Sequence, residues 1–159
     1  VNVINAHGMF PTRNFKYGVF NDAEGISGEK IAESIAQKKS ACYKCPIACG
    51  RSTKTANRQG EGPEYETVWA FGAQLGVNDL KAITEANYTC NELGLDTIST
   101  GNTIGCAMEL SEVVAFPYNL KWGDAKKIVG IVEDIAYKRG IGAEPVSYTH
   151  LTLPTICSV

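Results

Sequence analysis

The sequence predicts a mainly α-helical, bundle-like domain. Apolar residues recur at helical spacing in five segments, whereas the strict alternation of a half-buried strand is almost absent. Capping residues, glycines and prolines mark several of the segment ends, as they do at helix boundaries. Amphipathic helices bury their apolar faces against one another, so we expect one packed helical core.

Each predicted helix has a start signal. Ser27 suits the N-cap of a helix over residues 27–40, in which Ile31 and Ile35 share a face. Pro63 suits the first turn of the next helix, and Gly76 is its expected stop. The other three helices are predicted to begin near Asn78, at Asp96 and at Asp124, and the last of them ends in the basic turn Lys138–Arg139.

The segments between the helices are predicted to be irregular. Residues 1–26 are expected to lie extended over the core, 51–62 to form a surface loop, and 112–123, with Pro117, to connect two helices. Residues 145–159 contain no Asp, Glu, Lys or Arg and no helical period. We interpret them as an artefactual or disordered tail, discount His150 and Cys157, and place the domain within residues 1–144.

The composition excludes several classes of function. The chain has 159 residues, with 15 Lys and Arg against 17 Asp and Glu, so its formal net charge is −2. A nucleic-acid-binding domain would have a basic excess, and a membrane span would need about 18 consecutive apolar residues. The sequence has neither feature, and it shows no secretory signal. We therefore expect a cytoplasmic protein in a reducing compartment, without nucleic-acid or membrane partners.

Three of the six cysteines form the motif Cys42-x2-Cys45-x3-Cys49. Thiolates this close together can bind one metal centre, and iron–sulfur clusters commonly use a local group of three with a fourth cysteine elsewhere. A structural zinc site and three buried thiols without a metal are the alternatives. Lys44 and Arg51 would place positive charge beside an anionic cluster.

Two further segments have residue types that suit a cofactor site. Glu64 and Glu66 belong to the first turn of a predicted helix, where the helix dipole favours negative charge. They are either ordinary helix-terminus acids on a solvated face, or a general base or ligand orienter near a cofactor. The run 91–97 ends one helix at Gly94 and starts the next at Asp96. Exposed N–H groups there can hold an anion or a polar heterocycle, although an ordinary helix–turn–helix joint has the same local chemistry.

In their order and spacing these motifs resemble the tungsten-dependent aldehyde:ferredoxin oxidoreductases. The resemblance covers about residues 1–144 and rests on the cysteine motif, Glu-Gly-Pro-Glu-Tyr-Glu-Thr at 61–67, Cys-Asn-Glu-Leu-Gly-Leu-Asp-Thr-Ile-Ser at 90–99, Pro-Thr-Arg-Asn-Phe at 11–15 and Leu-Lys-Trp-Gly-Asp at 120–124. It implies an incomplete copy of the family's second, helical domain. It also implies oxidation of aldehydes to carboxylic acids at a tungsten or molybdenum bis-pterin centre, with a [4Fe–4S] cluster relaying electrons to ferredoxin.

The resemblance implies a role for each motif. Glu66 matches the catalytic acidic residue near the metal, and Asp96 is expected to hydrogen-bond to pterin nitrogens while Gly94 allows the chain to approach the ring. The implied cluster ligands are Cys42, Cys45 and Cys49, and the implied pterin-binding residues are Asn91, Glu92, Gly94, Leu95, Asp96 and Thr97.

Some features of the family pattern have no counterpart in this sequence. Asn91 stands where the pattern has Asp, which replaces a charge with an amide. The fourth cluster cysteine, a second pterin motif and the active-site His are absent. We therefore expect a fragment that is inactive alone and whose partners are the rest of the enzyme, an aldehyde, ferredoxin and, in a homo-oligomer, a second copy. The alternatives are another iron–sulfur electron-transfer module and a zinc-stabilised helical binding domain.

Overall fold

The fold is mainly α-helical, as the sequence predicts. A computed structural model describes residues 1–56, 58–113 and 118–143, and within them it contains six α-helices and one small antiparallel sheet. The helices are α1 (Asn2–Ala6), α2 (Gly28–Ser34), α3 (Tyr65–Phe71), α4 (Leu80–Leu93), α5 (Thr97–Val113) and α6 (Ile128–Ala136). The strands are β1 (Ala36–Ser40), β2 (Gly50–Lys54) and β3 (Gln59–Glu61), in the order β1-β2-β3.

The core lies between two packed pairs of helices, α3 with α5 and α4 with α6. The start of α4 is fixed by Asp79, whose carboxylate accepts hydrogen bonds from the backbone N–H groups of Lys81 and Ala82. Side chains that are completely or almost completely buried fill the space between the helices; the largest include Phe10, Phe71, Leu75, Ile83, Ile104, Met108 and Ile128. No helix in the described ranges has both the length and the apolar character of a membrane span.

A glycine allows the close contact of α3 and α5. A Cβ atom added at Gly101 in α5 would lie 2.6 Å from the backbone oxygen of Ala70 in α3 and 2.8 Å from the Cβ atom of Ala70. Real side chains do not tolerate such distances, so the two helix backbones approach each other only because residue 101 has no side chain.

The N-terminal segment is more ordered than the sequence analysis predicts. It contains α1 and a 3-10 turn at Ala23–Ile26, and the side-chain amide of Asn5 pairs with both backbone groups of Phe20, at 2.8 and 3.0 Å. Three consecutive residues at 13–15 have positive φ angles of 49, 51 and 65°, and Trp69 donates a hydrogen bond from Nε1 to the carbonyl of Pro11 at 2.8 Å. The backbone of the segment is therefore hydrogen-bonded to a side chain of α3.

The predictions for residues 27–40 and 51–62 are partly wrong. The helix that Ser27 caps ends at Ser34, and β1 follows it. Residues 37–40 are all exposed, so a continued helix would have no apolar face to bury there. The backbone N–H of Lys54 instead donates to the carbonyl of Ile35 at 2.9 Å, which starts the pairing of β1 with β2. The predicted surface loop at 51–62 contains most of β2 and all of β3.

The last helix is shorter than predicted. Asp124 does not cap it; its carboxylate forms an ion pair with Lys127 at 3.2 Å, and a 3-10 turn at Ala125–Lys127 precedes α6. The helix ends at Ala136, so Lys138 and Arg139 lie beyond its last turn. Pro117 and the tail at 145–159 lie outside the described residues.

Substituting Gly101 with Ala tests the close contact of α3 and α5. The new methyl group would overlap the backbone of Ala70, and we expect the free energy of unfolding to fall by about 1–3 kcal/mol in a urea titration. Gly130→Ala is the matched control, since a Cβ atom at this exposed position in α6 meets nothing within 4 Å. Alanine there should instead stabilise the helix by about 0.5–1 kcal/mol. Equal effects at both positions would contradict the close-packing assignment.

Candidate functional site

The three cysteines of the motif lie at the tip of the hairpin formed by β1 and β2. The register pair Ser40 and Gly50 closes this tip, so residues 41–49 connect the strands and contain all three thiols. Cys42 and Cys49 are exposed and Cys45 is half-buried. The backbone N–H of Cys45 donates to the carbonyl of Cys42 at 2.9 Å, which turns the chain between the first two cysteines.

The backbone conformation of the tip is unusual. Lys44 and Ala48 both have left-handed φ angles, 58 and 49°, and each directly precedes a cysteine. Such angles cost a residue with a side chain about 1–2 kcal/mol and are enriched at functional sites. In the described ranges, no group of three or more His, Cys, Asp or Glu side chains is arranged to hold a metal ion. The chemistry of the donor set, three thiols in one nine-residue connection of which two are exposed and one is half-buried, nevertheless suits a thiolate-bound cluster whose fourth ligand comes from elsewhere.

Arg51 connects the cysteine tip to the start of α3. Its Nη2 atom donates to the carbonyl of Cys49 and to the carboxylate of Glu64, both at 3.1 Å. Glu64 occupies the N-cap position of α3 but makes no capping hydrogen bond. Its carboxylate therefore serves the contact with Arg51, which places the cysteine tip beside the helix that carries Glu66.

Glu66 lies in the first turn of α3 and is exposed. Its neighbour Tyr65 is half-buried, and burial raises the pKa of the Tyr65 phenol, with the negative charge of Glu66 adding to that shift. An exposed carboxylate can accept a proton, and the catalytic role of Glu66 stays a prediction.

The segment predicted to contact a pterin is a tight joint between α4 and α5. Gly94 ends α4 in the left-handed conformation, with φ of 69°, and the N–H of Leu95 donates to the carbonyl of Cys90 at 2.9 Å. Asp96 accepts a hydrogen bond from the N–H of Ser99 at 2.7 Å, which confirms it as the N-cap of α5. The hydrogen bonds from Ser99 also lower the pKa of the Asp96 carboxyl.

The joint presents polar groups to solvent. Asn91, Glu92, Gly94 and Asp96 are exposed, and Leu95 and Thr97 are half-buried. A Cβ atom at Gly94 would meet nothing within 4 Å, so within the described chain this glycine is needed for its φ angle rather than for a close contact. Its predicted role in the approach of a pterin ring stays a prediction.

A pair of threonines joins the Glu66 helix to this joint. The hydroxyls of Thr67 and Thr97 lie 2.8 Å apart, so the residue after Glu66 is hydrogen-bonded to the residue after Asp96. Sequence reasoning assigned Thr97 to the pterin segment but missed Thr67. The one sequence feature that pointed to this hydrogen bond is that each threonine directly follows a candidate acid, Glu66 or Asp96.

Arg58, which sequence reasoning also missed, links the hairpin to α4. Its guanidinium pairs with Glu85 at 3.2 Å, donates to the hydroxyl of Thr89 at 3.1 Å and forms an ion pair with Glu92. The contact with Glu92 raises the pKa of Arg58, and burial opposes it. The carboxylate of Glu92, predicted to bind a cofactor, is therefore already engaged by the turn between β2 and β3.

The side chain of Tyr88, in α4, contacts strands β2 and β3. Its hydroxyl donates to the carbonyl of Thr53 at 2.9 Å and lies 2.7 Å from the Thr53 hydroxyl, which also contacts the carbonyl of Gly60 at 3.5 Å. Gly60 of β3 faces the Tyr88 ring, where a Cβ atom would lie 3.1 Å from it, and Asn87 donates to the carbonyl of Glu61. Through these contacts the helix that ends at the joint also holds the cysteine hairpin.

The cysteines outside the motif differ from those at the tip. Cys90 is completely buried in the core, and burial raises the pKa of its thiol to about 11. Cys106 is half-buried in α5. A thiol must lose its proton to bind a metal, so the environment of Cys90 fits a core thiol and not a cluster ligand. Cys157 and His150 lie outside the described residues.

Comparison with known proteins identifies relatives over almost the whole chain. The sequence model of the family described as aldehyde ferredoxin oxidoreductase, domains 2 & 3, matches residues 1–145. The tungsten-containing aldehyde ferredoxin oxidoreductase of Thermococcus kodakarensis is 46% identical over 152 residues, covering 89% of this chain and 25% of that protein. The protein of the same name from Pyrococcus furiosus is 45% identical over 150 residues, with the same coverage. The chain thus spans about a quarter of the length of these relatives.

A relative with a different name is more distant. The aliphatic sulfonate oxidoreductase, WOR-like subunit, of Pyrococcus furiosus is 32% identical over 143 residues, covering 83% of this chain and 23% of that protein.

Removing the Tyr88 hydroxyl tests the attachment of the hairpin to α4. Tyr88→Phe removes the buried hydrogen bonds of the Tyr88 hydroxyl to the carbonyl and hydroxyl of Thr53, so we expect the free energy of unfolding to fall by about 1–3 kcal/mol. Chemical denaturation measures the change. Tyr137→Phe is the control, since Tyr137 is 58% exposed and should change stability by less than about 0.5 kcal/mol. A loss no larger than that of the control would refute the attachment.

Thiol alkylation tests the assignment of the cysteines to tip and core. Because the pKa of Cys90 is about 11, its thiolate fraction at pH 8 is far below that of an ordinary cysteine, and the side chain is also buried. In cluster-free native protein we expect iodoacetamide to label Cys42, Cys45 and Cys49 and to spare Cys90, as measured by peptide mass spectrometry. The denatured protein, in which all four react, is the control. Labelling of native Cys90 as fast as Cys42 would be inconsistent with this arrangement.

Proposed function

This chain belongs to the aldehyde ferredoxin oxidoreductase family, and we propose that it is the part of such an enzyme that supplies three iron–sulfur cluster ligands and one pterin-contacting joint. The family is one of oxidoreductases, and its named relatives contain tungsten. The complete enzyme would oxidise an aldehyde and water to a carboxylic acid, two protons and two electrons. The electrons would pass to ferredoxin.

The observation that carries the proposal is the direct linkage of three motifs that are far apart in the sequence. Arg51 joins the carbonyl of Cys49 to Glu64 at the start of α3. Thr67 of α3 is hydrogen-bonded to Thr97 at the joint, and the hairpin turn reaches the same joint through Arg58 and Glu92. A cluster, a catalytic acid and a pterin must be neighbours to exchange electrons and protons, and these contacts support that placement.

Each motif has a role in this proposal. Cys42, Cys45 and Cys49 would hold a [4Fe–4S] cluster as thiolates, with the fourth ligand from another part of the enzyme. The tungsten or molybdenum bis-pterin centre would supply the two-electron chemistry when bound. Lys44 and Arg51 would offset the negative charge of the thiolates.

The joint and the acid would act on the pterin and on protons. The pterin would be held by the segment that contains Asn91, Glu92, Gly94, Leu95, Asp96 and Thr97. The carboxylate of Asp96 would accept hydrogen bonds from pterin N–H groups, whereas the amide of Asn91 can both donate and accept. Glu66 would take a proton from water or from an aldehyde hydrate. The buried Thr67, the next residue in the chain, would hold this turn of α3 at the joint through its hydrogen bond to Thr97.

The comparisons favour an aldehyde over other substrates. Identity to the tungsten-containing aldehyde ferredoxin oxidoreductases is 45–51%, against 32% to the aliphatic sulfonate oxidoreductase subunit. The remainder of the enzyme, ferredoxin and a second copy in a homo-oligomer are the proposed partners, and the cytoplasm is the proposed location. Residues 1–144 would form the helical domain, and the chain would be inactive alone.

Replacing a proposed ligand in the full-length enzyme tests the proposal. Cys45→Ser should abolish or strongly reduce the cluster's visible absorbance and its EPR signal in anaerobically purified protein, because serine is a poor cluster ligand. Cys106→Ser, outside the hairpin, is the control and should retain both signals. Unchanged spectra for Cys45→Ser would rule out the ligand assignment. Zinc without iron or sulfide in the wild-type protein would favour a zinc-stabilised domain instead.

A further inference from the structure

Residues 11–15 have no role in the proposed function, yet their backbone conformation is unusual. Arg13, Asn14 and Phe15 all have left-handed φ angles, 49, 51 and 65°. None of the three is a glycine, and a positive φ is a genuine outlier for a residue as bulky as phenylalanine. Strain of this kind persists only where the surrounding structure enforces it, and it is common where a protein holds a ligand.

Hydrogen bonds to two other parts of the chain enforce this conformation. The backbone N–H of Arg13 donates to the carbonyl of Ala73 at 3.0 Å, and the next N–H, that of Asn14, donates to residue 74 at 3.1 Å. The side chain of Asn14 donates to the carboxylate of Glu109, in α5, at 2.6 Å and accepts a hydrogen bond from the amide of Gln74 at 3.1 Å. The residue that follows is thereby held at a fixed position.

The strained turn holds the aromatic ring of Phe15 against α3. The Phe15 ring lies edge-on to the ring of Trp69, with the ring centres 5.7 Å apart and an angle of 64° between the planes. Trp69 is only 8% exposed, whereas Phe15 is 63% exposed, so the pair presents mainly the Phe15 ring to its surroundings. Aromatic side chains line the apolar parts of ligand pockets because each of them offers a large apolar area.

Helix α3 places Glu66 between this aromatic pair and the proposed pterin joint. A helix turns by about 100° per residue, so Thr67 lies about 100° from Glu66 around the axis in one direction and Trp69 lies about 60° from it in the other. Thr67 is the residue that is hydrogen-bonded to Thr97 at the joint. Side chains on a helix also lean toward its N-terminus, so the ring of Trp69 leans toward the turn that contains Glu66.

We propose that Phe15, supported by Trp69, binds the side chain of the aldehyde and determines the specificity of the enzyme for aldehydes with an aromatic side chain. The inference rests on the proposed function and adds which residue holds the part of the substrate that does not react. An aldehyde whose carbonyl carbon reacts on the joint side of Glu66 extends its side chain to the opposite side, where the Phe15 ring is exposed. Removing that ring from water on binding favours a large apolar side chain over a short one.

The test uses the full-length enzyme and two aldehydes that differ by one phenyl ring, phenylacetaldehyde and acetaldehyde. In Phe15→Ala we expect kcat/KM for phenylacetaldehyde to fall about tenfold more than kcat/KM for acetaldehyde, because a hydrophobic contact of this size changes specificity by about that factor. Tyr137→Ala is the matched control. It removes an aromatic side chain of similar exposure, 58%, at the end of α6, and it should leave the ratio of the two values unchanged.

Binding of a product measures the same contact without turnover. The Kd of phenylacetate, measured by calorimetry, should rise about tenfold in Phe15→Ala and stay at the wild-type value in Tyr137→Ala. Phe15→Leu retains an apolar side chain in case the alanine variant folds poorly, and it should lower the kcat/KM ratio by a smaller factor in the same direction. The cluster EPR signal should be unchanged in all three variants, since none of them alters a proposed ligand.

Two results would overturn the specificity proposal. An unchanged kcat/KM ratio in both Phe15 variants would mean that another part of the enzyme covers the ring. A parallel loss for both aldehydes would give Phe15 a purely structural role. Failure of the proposed function looks different, since a wild-type enzyme without cluster spectra and without aldehyde-dependent reduction of ferredoxin would refute that function whatever the Phe15 variants show.

Discussion

The hydrogen-bonded contact of Tyr88 with Thr53 determines where the cysteine hairpin lies. The two strands β1 and β2 contribute only one buried residue, Thr53, so they have no apolar core of their own. A small sheet needs a hydrophobic face or packing against a helix to be stable in water, and this three-stranded sheet has the helix. Tyr88 provides it with a ring that packs against Gly60 and a hydroxyl that hydrogen-bonds to the carbonyl and the hydroxyl of Thr53.

Since Tyr88 belongs to α4, that helix fixes the hairpin and the proposed pterin joint relative to each other. The joint begins where α4 ends, at Gly94, less than two turns of helix after Tyr88. Arg58 adds a second connection, from the hairpin turn to Glu92. Movement of the hairpin would therefore break the buried hydrogen bonds of Tyr88 and the ion pair of Arg58 at the same time. The hairpin and the joint are thus held at fixed positions relative to each other because both are attached to α4.

The sequence predicted the helices well and the hairpin poorly, for a physical reason. Helices α4 and α5 have their own apolar periodicity and their own capping residues, such as Asp79 and Asp96, so local rules suffice. Strand β1 is exposed along most of its length, and what makes it a strand is pairing with residues 10 to 17 positions later. The candidate residues were found from residue type and spacing, whereas Thr67 and Arg58, which connect them, depend on contacts 27 to 34 positions away along the chain.

The arginines and the lysines of residues 35–60 have different roles: the arginines attach the segment to the helices, and the lysines give it surface charge. Arg51 and Arg58 each contact at least two groups at once, as a planar guanidinium with five donors can, and their charge is used inside the fold. The lysines of the same segment are exposed, and lysine keeps a strongly hydrated charge on a flexible stem. Anchoring and surface charge thus reside in different side chains, so the charge of the hairpin can change without loosening its attachment to α4.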